Sequence, residues 1–149
     1  MSNIKSVSYD QLEIIKSIMD LCGIERFDID STYGNGKFWN DENKPTRRFD
    51  VDESLSDVEN YSSCCLPVVD CSVSSFMFDP PFLTYVKNGR DHGSIMASRF
   101  GGYWAYRELE DHYKGTIKEA GRVLKKKGIF VIKCQDIIHN HKMHCTHVN

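Results

Sequence analysis

Val73-Ser74-Ser75-Phe76-Met77-Phe78-Asp79-Pro80-Pro81-Phe82 is the stretch on which the reading of this chain turns. Its first six residues predict a buried strand, ended by the two prolines that follow. Those prolines remove two backbone donors and fix two φ angles. The first of them also restricts Asp79 to extended backbone. A carboxylate, free carbonyls and an aromatic ring at the end of a buried strand make a grip for a planar amino group. Asp79 can accept from an exocyclic amine, the carbonyls at Pro80 and Pro81 stay open to a ligand, and Phe82 can stack on a base.

Working outward, the downstream half is the more regular. Tyr106, Leu109, Tyr113, Ile117, Ala120, Val123 and Leu124 share one helical face. Lys125, Lys126 and Lys127 are expected at the C-terminal end of that helix, where cations suit the macrodipole, and Gly128 is expected to cap it. Ile129-Phe130-Val131-Ile132 is an unbroken apolar run of the buried parallel-strand type. Upstream, Ser8 to Gln11 has the form of a capping box, and Leu12, Ile15, Ile18 and Met19 follow at helical spacing until Gly23. A helix over about 9–22 is expected. Phe27 to Asp30 and Thr46 to Val51 are strand candidates, residues 53–63 read as a weak helix or irregular crossover, and Leu66-Pro67-Val68-Val69 reads as a third short apolar segment.

Strands alternating with helices or crossovers predict an α/β chain with a Rossmann-like, doubly wound, mostly parallel sheet. At 149 residues it is one domain by size: an N-terminal helical part (1–23), a core (24–136) and a His-rich tail (137–149). The net charge of −2 excludes a generic polyanion binder, so nucleic-acid contact has to come from local clusters. No apolar run reaches the roughly 20 residues that span a bilayer, and Met1 to Lys5 lacks a signal-peptide core, so a cytoplasmic chain with no membrane partner is expected. The six cysteines form no CxxC pair and fit reduced, packed thiols. His139, His141, His144, Cys145 and His147 are metal-ligand types, but their spacing matches no standard finger, and no metal is expected there.

In parallel sheets ligands bind beyond the carboxyl ends of the strands. Asp30-Ser31-Thr32-Tyr33-Gly34-Asn35-Gly36 stands at the first such end, where two glycines let backbone approach a ligand closely. Asp30 there can bind an ammonium group; a tight turn alone would also use Gly34 and Gly36. Asp50 ends the next strand, at the distance of an acid that holds ribose hydroxyls. Asp70 follows the third apolar segment and Asp79 the fourth. Four aspartates on one sheet edge repel one another unless a ligand or cation is present. Trp39 stands where a GxGxxG dinucleotide loop would need Gly or Ala, which argues against a general nucleotide-binding Rossmann protein.

This order of motifs resembles the class I S-adenosylmethionine-dependent methyltransferases of the amino-methyltransferase (DPPY/DPPF) type, over residues from about 24 to 136. Asp30 to Phe38 is similar to their glycine-loop motif, and Asp79, Pro80, Pro81 and Phe82 to their catalytic tetrapeptide. The resemblance implies an S-adenosyl-L-methionine site built from Asp30, Thr32, Gly34, Gly36, Phe38, Asp50 and Asp70, with Asp70 near the cofactor adenine. It implies methyl transfer to adenine N6 or cytosine N4 of DNA, or to guanine N2 of RNA, from a base flipped out of its stack. The loop from Leu83 to Gly102, with Lys87, Arg90 and Arg99, is expected to meet phosphates. The family sheet has seven strands, so the expectation here is a sheet truncated after the fifth and completed by a homodimer or a second chain. An inactive domain that binds only a cofactor or partner is the reading from another class.

Overall fold

The computed structural model describes residues 4, 7–52, 56–84, 102–103 and 105–147. Within them a five-stranded, all-parallel sheet carries two helices. The elements run α1 (Gln11–Cys22), β1 (Ile29–Asp30), β2 (Arg47–Asp50), β3 (Glu59–Asn60), β4 (Val73–Phe78), α2 (Tyr106–Val123) and β5 (Leu124–Ile132). A two-stranded antiparallel hairpin follows, β6 (Ile137–His139) and β7 (Lys142–His144). The sheet order is β3-β2-β1-β4-β5. The chain therefore winds outward from β1 in one direction, then returns to β4 and winds outward in the other. That reversal between β1 and β4 is the switch point at which open α/β sheets bind ligands.

Side-chain alternation along β4 divides the core between the two faces. Phe76 and Phe78 join Leu109, Tyr113, Ala120 and Val123 of α2. Met77, between them in sequence, joins Ile15 and Met19 of α1 with Phe27, Tyr33 and Trp39. Both apolar runs expected to be strands, Val73 to Phe78 and Ile129 to Ile132, lie side by side, with Phe76 opposite Phe130 and Phe78 opposite Ile132.

Five local expectations are corrected. The α1 cap is Asp10, whose Oδ1 accepts from Leu12 N at 2.9 Å; Ser8 instead donates to Glu13 at 2.6 Å. Of the 53–63 region, read as a weak helix or an irregular crossover, the described residues 56–63 hold no helix but a short strand, β3, within an otherwise irregular crossover. It is short and polar, and its charges explain why: Glu59 takes a bidentate pair from Arg47 on β2, and Asp57 pairs with Arg48. Charged side chains suit an edge strand. Leu66 to Val69 is not a strand. Pro67 has no amide to donate, and Arg122 of α2 takes the carbonyls of Leu66 (3.1 Å) and Val68 (2.7 Å).

The long helix ends at Val123, so Lys125 to Lys127 belong to β5 and Gly128 caps nothing. Pairing shifts there: Val73 faces Leu124 and Ser75 faces Ile129, two steps on β4 against five on β5, with Lys127 at φ 67°. The His-rich tail folds into the hairpin. Asn140 and His141 both have positive φ, the geometry of a tight two-residue turn between antiparallel strands, and His144 stacks on Tyr106 at 3.8 Å. Among the described residues no three His, Cys, Asp or Glu side chains gather as a metal site, and no helix is long and apolar enough to cross a membrane. Lys87, Arg90 and Arg99 lie outside the described residues.

Phe76 is fully buried and packs edge-on against Phe130. Phe76→Ala is expected to lower unfolding stability by about 3–5 kcal/mol in urea titrations, as a large cavity in a two-sided core does. Ile138→Ala, at a position 68 % exposed, should change it by less than about 1 kcal/mol.

Candidate functional site

Three of the four expected aspartates meet at one sheet edge. Asp30 ends β1, Asp50 ends β2, and Asp79 follows Phe78 at the end of β4. Parallel pairing of β1 with both β2 and β4 aligns these ends. Asp70 is a correction. It lies three residues before β4 begins, at the amino edge, and its carboxylate is held by Arg122 at 2.5 Å. It does not share an edge with the others, because the apolar segment before it is no strand. The third strand ends instead at Asn60, whose side chain donates to Asp50 O at 3.3 Å, with the half-exposed Tyr61 next in line.

The glycine loop is organised by the acids around it. Asp30 is buried, with 3 % of its surface exposed, and its two oxygens accept from Thr32 N (3.0 Å) and Trp39 Nε1 (2.7 Å). Asp50 Oδ2 accepts from Gly34 N at 2.8 Å. Gly34 has φ 56° with open space where a Cβ would stand; Gly36 has φ 69° and its Cβ would fall 2.6 Å from the Tyr33 hydroxyl. Both positions need glycine for the left-handed backbone, and Gly36 for the close approach as well. Ser31 N and Oγ both donate to Met77 O, tying the loop to β4. Thr32 completes the link: its Oγ1 accepts from Asp79 N at 2.9 Å. Loop and tetrapeptide are thus one hydrogen-bonded unit.

Asp79 is partly buried and faces Lys133, the residue after β5, whose Nζ is 3.3 Å from both carboxylate oxygens. Lys133 also donates to Gln11 at 3.2 Å and stands 5.8 Å from the centre of the Phe38 ring. Pro80 is buried, while Pro81 and Phe82 are half-buried, Phe82 packing on the α2 side of the core. Phe38 is half-buried and meets Trp39 edge-on at 5.0 Å.

Burial drives the electrostatics. It pushes the Asp30 carboxyl up to about 7; the Thr32 and Trp39 hydrogen bonds oppose it, and the nearby Asp79 and Asp50 charges add to it. Burial also raises Asp79, with the Lys133 charge and hydrogen bond opposing. The cation that a cluster of carboxylates demands is therefore supplied in part from within the chain. Lys133, Trp39 and Asn60 were not singled out as site residues by sequence reasoning. Lys133 had a usable signal, since it is the first residue beyond a buried strand and so falls at the same edge as Asp79.

A cavity of about 240 Å³ opens elsewhere, between α2 and the end of β5, with Tyr106, Tyr113, Ile117, Ile132 and Cys134 in its walls. None of the sequence-predicted site residues lines it. The carboxyl edge is the better candidate site, because the acids, the glycine loop and the switch point coincide there. Compared with known proteins, the chain matches no protein-family model, no curated protein and no solved structure.

Asp30 makes a signed prediction. Its folded-state value lies above the ordinary 3.8, so the native state binds the extra proton between those limits. Stability from this group is present at low pH and falls as pH rises from about 4 to about 7, by up to roughly 4 kcal/mol. Urea midpoints measured from pH 4 to 8 should show that decline, and Asp30→Asn should remove most of it. An unchanged slope in the variant would place the titration elsewhere.

Proposed function

We propose that the carboxyl edge binds S-adenosyl-L-methionine and that the chain transfers its methyl group to an exocyclic amino nitrogen of a nucleic-acid base. DNA adenine N6 or cytosine N4 is the favoured acceptor, and guanine N2 of RNA the alternative. The observation that carries this reading is the Thr32 to Asp79 hydrogen bond at 2.9 Å, which joins the glycine loop to the tetrapeptide. The sheet order and parallel sense support it, since they bring the end of β4 beside the end of β1 at the switch point.

The residues at the edge fit such a cofactor. Gly34 offers open space beside its backbone, and Asp50, half-buried at the end of β2 with one oxygen on the Gly34 amide and the other on the Asp52 amide, would hold ribose hydroxyls through its remaining lone pairs. Asn60 and Tyr61, at the true end of the third strand, take over the adenine-side place that the resemblance implied for Asp70. Asp30 serves chiefly to hold the loop, because Thr32 and Trp39 already occupy its oxygens. When bound, the cofactor supplies a methyl group already activated by a sulfonium.

The chain's own part is positioning and charge. Asp79 and the Pro80 carbonyl accept the two amino hydrogens of the base, which keeps the nitrogen lone pair aimed at the cofactor. Phe82 stacks on the ring. Lys133 helps keep Asp79 ionised against its burial and so available as an acceptor. Orienting the two reactants contributes most of the acceleration, because no nucleophile has to be generated.

The same Lys133 favours a second reading. A lysine already engaging the Asp79 carboxylate would suit an inactive domain that binds cofactor without transfer. Two variants separate the readings. Asp79→Ala is expected to abolish transfer, measured as methylated nucleosides in digests of DNA and RNA, while calorimetry shows cofactor affinity within about threefold of wild type. Asp50→Ala is expected to weaken the cofactor by about tenfold or more, near 1.4 kcal/mol. Equal loss of cofactor in both variants would defeat the assignment of roles, and cofactor binding by a wild-type chain that never transfers would favour the binding-only domain.

A further inference from the structure

We infer that His112 and Tyr103 are positioning residues that grip the chain on both sides of Asp79-Pro80-Pro81-Phe82. The inference rests on the reading of the tetrapeptide as the acceptor grip. His112 lies on α2, away from the acids. Its ring edge meets Phe78, the residue before Asp79, at 5.4 Å and 81°. Its Nδ1 is hydrogen-bonded to the Tyr103 hydroxyl. Tyr103 in turn donates its backbone N–H to Leu83 O at 2.8 Å and pairs with Thr84 in a parallel bridge. Leu83 is the residue after Phe82. One imidazole thus touches the strand that enters the tetrapeptide and, through Tyr103, the segment that leaves it.

The imidazole is itself held. Its Nε2 lies 2.7 Å from Ser63 Oγ, which lies 2.7 Å from Thr116 Oγ1. Ser63 and Thr116 are 2 % and 0 % exposed. Gly115 permits this packing, since a Cβ there would fall 2.6 Å from the Cys64 sulfur. Burial raises the Tyr103 phenol, so it stays protonated. Among the described residues His112 is its hydrogen-bond partner, so the phenol donates to Nδ1 and Nε2–H donates to Ser63. Burial also lowers His112, which favours the neutral ring that this arrangement requires.

A serine beside a histidine invites a nucleophilic reading, and the geometry opposes it. Ser63 is sealed from solvent and already shared between His112 and Thr116, and the group on the far side of the ring is a phenol rather than a carboxylate. What the network fixes is the place of the chain at Phe78 and at Leu83. The four residues between them carry the proposed grip. A displacement of that grip costs rate more than cofactor affinity, because transfer depends on in-line geometry.

The test uses the full chain with S-adenosyl-L-methionine and either DNA or RNA as acceptor. Tyr103→Phe keeps the ring and removes the hydroxyl; His112→Phe keeps the contact with Phe78 and removes both hydrogen bonds. Each is expected to lower kcat by about tenfold or more while cofactor Kd stays within about threefold. A fluorinated phenylalanine at position 82 gives a readout independent of turnover. Its fluorine resonance should shift in Tyr103→Phe and stay put in Ile138→Ala. A nitrogen-15 spectrum of the wild type should show His112 with its proton on Nε2. If no acceptor is methylated by the wild type, the functional reading fails and the Phe82 signal still decides the positioning role. An unmoved Phe82 signal, or wild-type kcat in Tyr103→Phe where the wild type is active, would overturn the inference.

Discussion

The Asp30 carboxylate is the constraint from which the rest of the edge follows. It is sealed beneath its own loop, with one oxygen on the Thr32 amide and the other on the Trp39 indole. Without that acceptor the half-buried Thr32 amide and the buried Trp39 indole lose their partner, the indole at a cost of about 1–3 kcal/mol. With it, Trp39 closes the loop from one side and joins the α1-side core, while Thr32 is turned so that its hydroxyl meets the Asp79 amide. A single buried acid therefore connects the position of the glycine loop to that of the tetrapeptide, which lies 49 residues further on by number.

The same acid sets the electrostatic character of the edge. Three carboxylates near one another would repel, and the protein relieves that in two ways. Asp30 is buried deeply enough to hold its proton up to about neutrality. Asp79 is faced by Lys133, which comes from the neighbouring end of β5. Asp50 is left to use its charge on backbone amides, those of Gly34 and Asp52. Each acid has a different partner, although all three read alike in the sequence.

The legible parts of the fold were those whose signal is local. Val73 to Phe78 announces a buried strand by composition and by its prolines, and the pattern from Tyr106 to Val123 announces a helix by period. Gly34 and Gly36 announce a turn because few other residues tolerate their φ. The illegible parts depend on partners far away in the chain. β3 is two polar residues long and is stabilised by ion pairs to β2, which no window around residue 59 contains. Leu66 to Asp70 looked like a strand with an acid at its end. Its carbonyls and carboxylate are instead collected by Arg122, more than fifty positions away. Trp39 was informative only as a departure from a dinucleotide loop, yet its indole turns out to hold the acid at the base of that loop.

Charge arithmetic at the edge bears on which ligand it suits. Three acids, Asp30, Asp50 and Asp79, and one lysine, Lys133, meet at this edge, and burial pushes the Asp30 carboxyl up to about 7. A polyphosphate would add its own negative charge to that balance, and among these four side chains only Lys133 could answer it. The proposed cofactor, with a sulfonium, an ammonium and a single carboxylate, carries a net +1, opposite in sign to the acids gathered there. The Gly34 amide, which a phosphate loop would turn toward its anion, is here given to the Asp50 carboxylate. The acids at the edge, as much as the four letters of the tetrapeptide, favour the proposed methyl donor over the nucleotides that other parallel sheets hold at the same switch point.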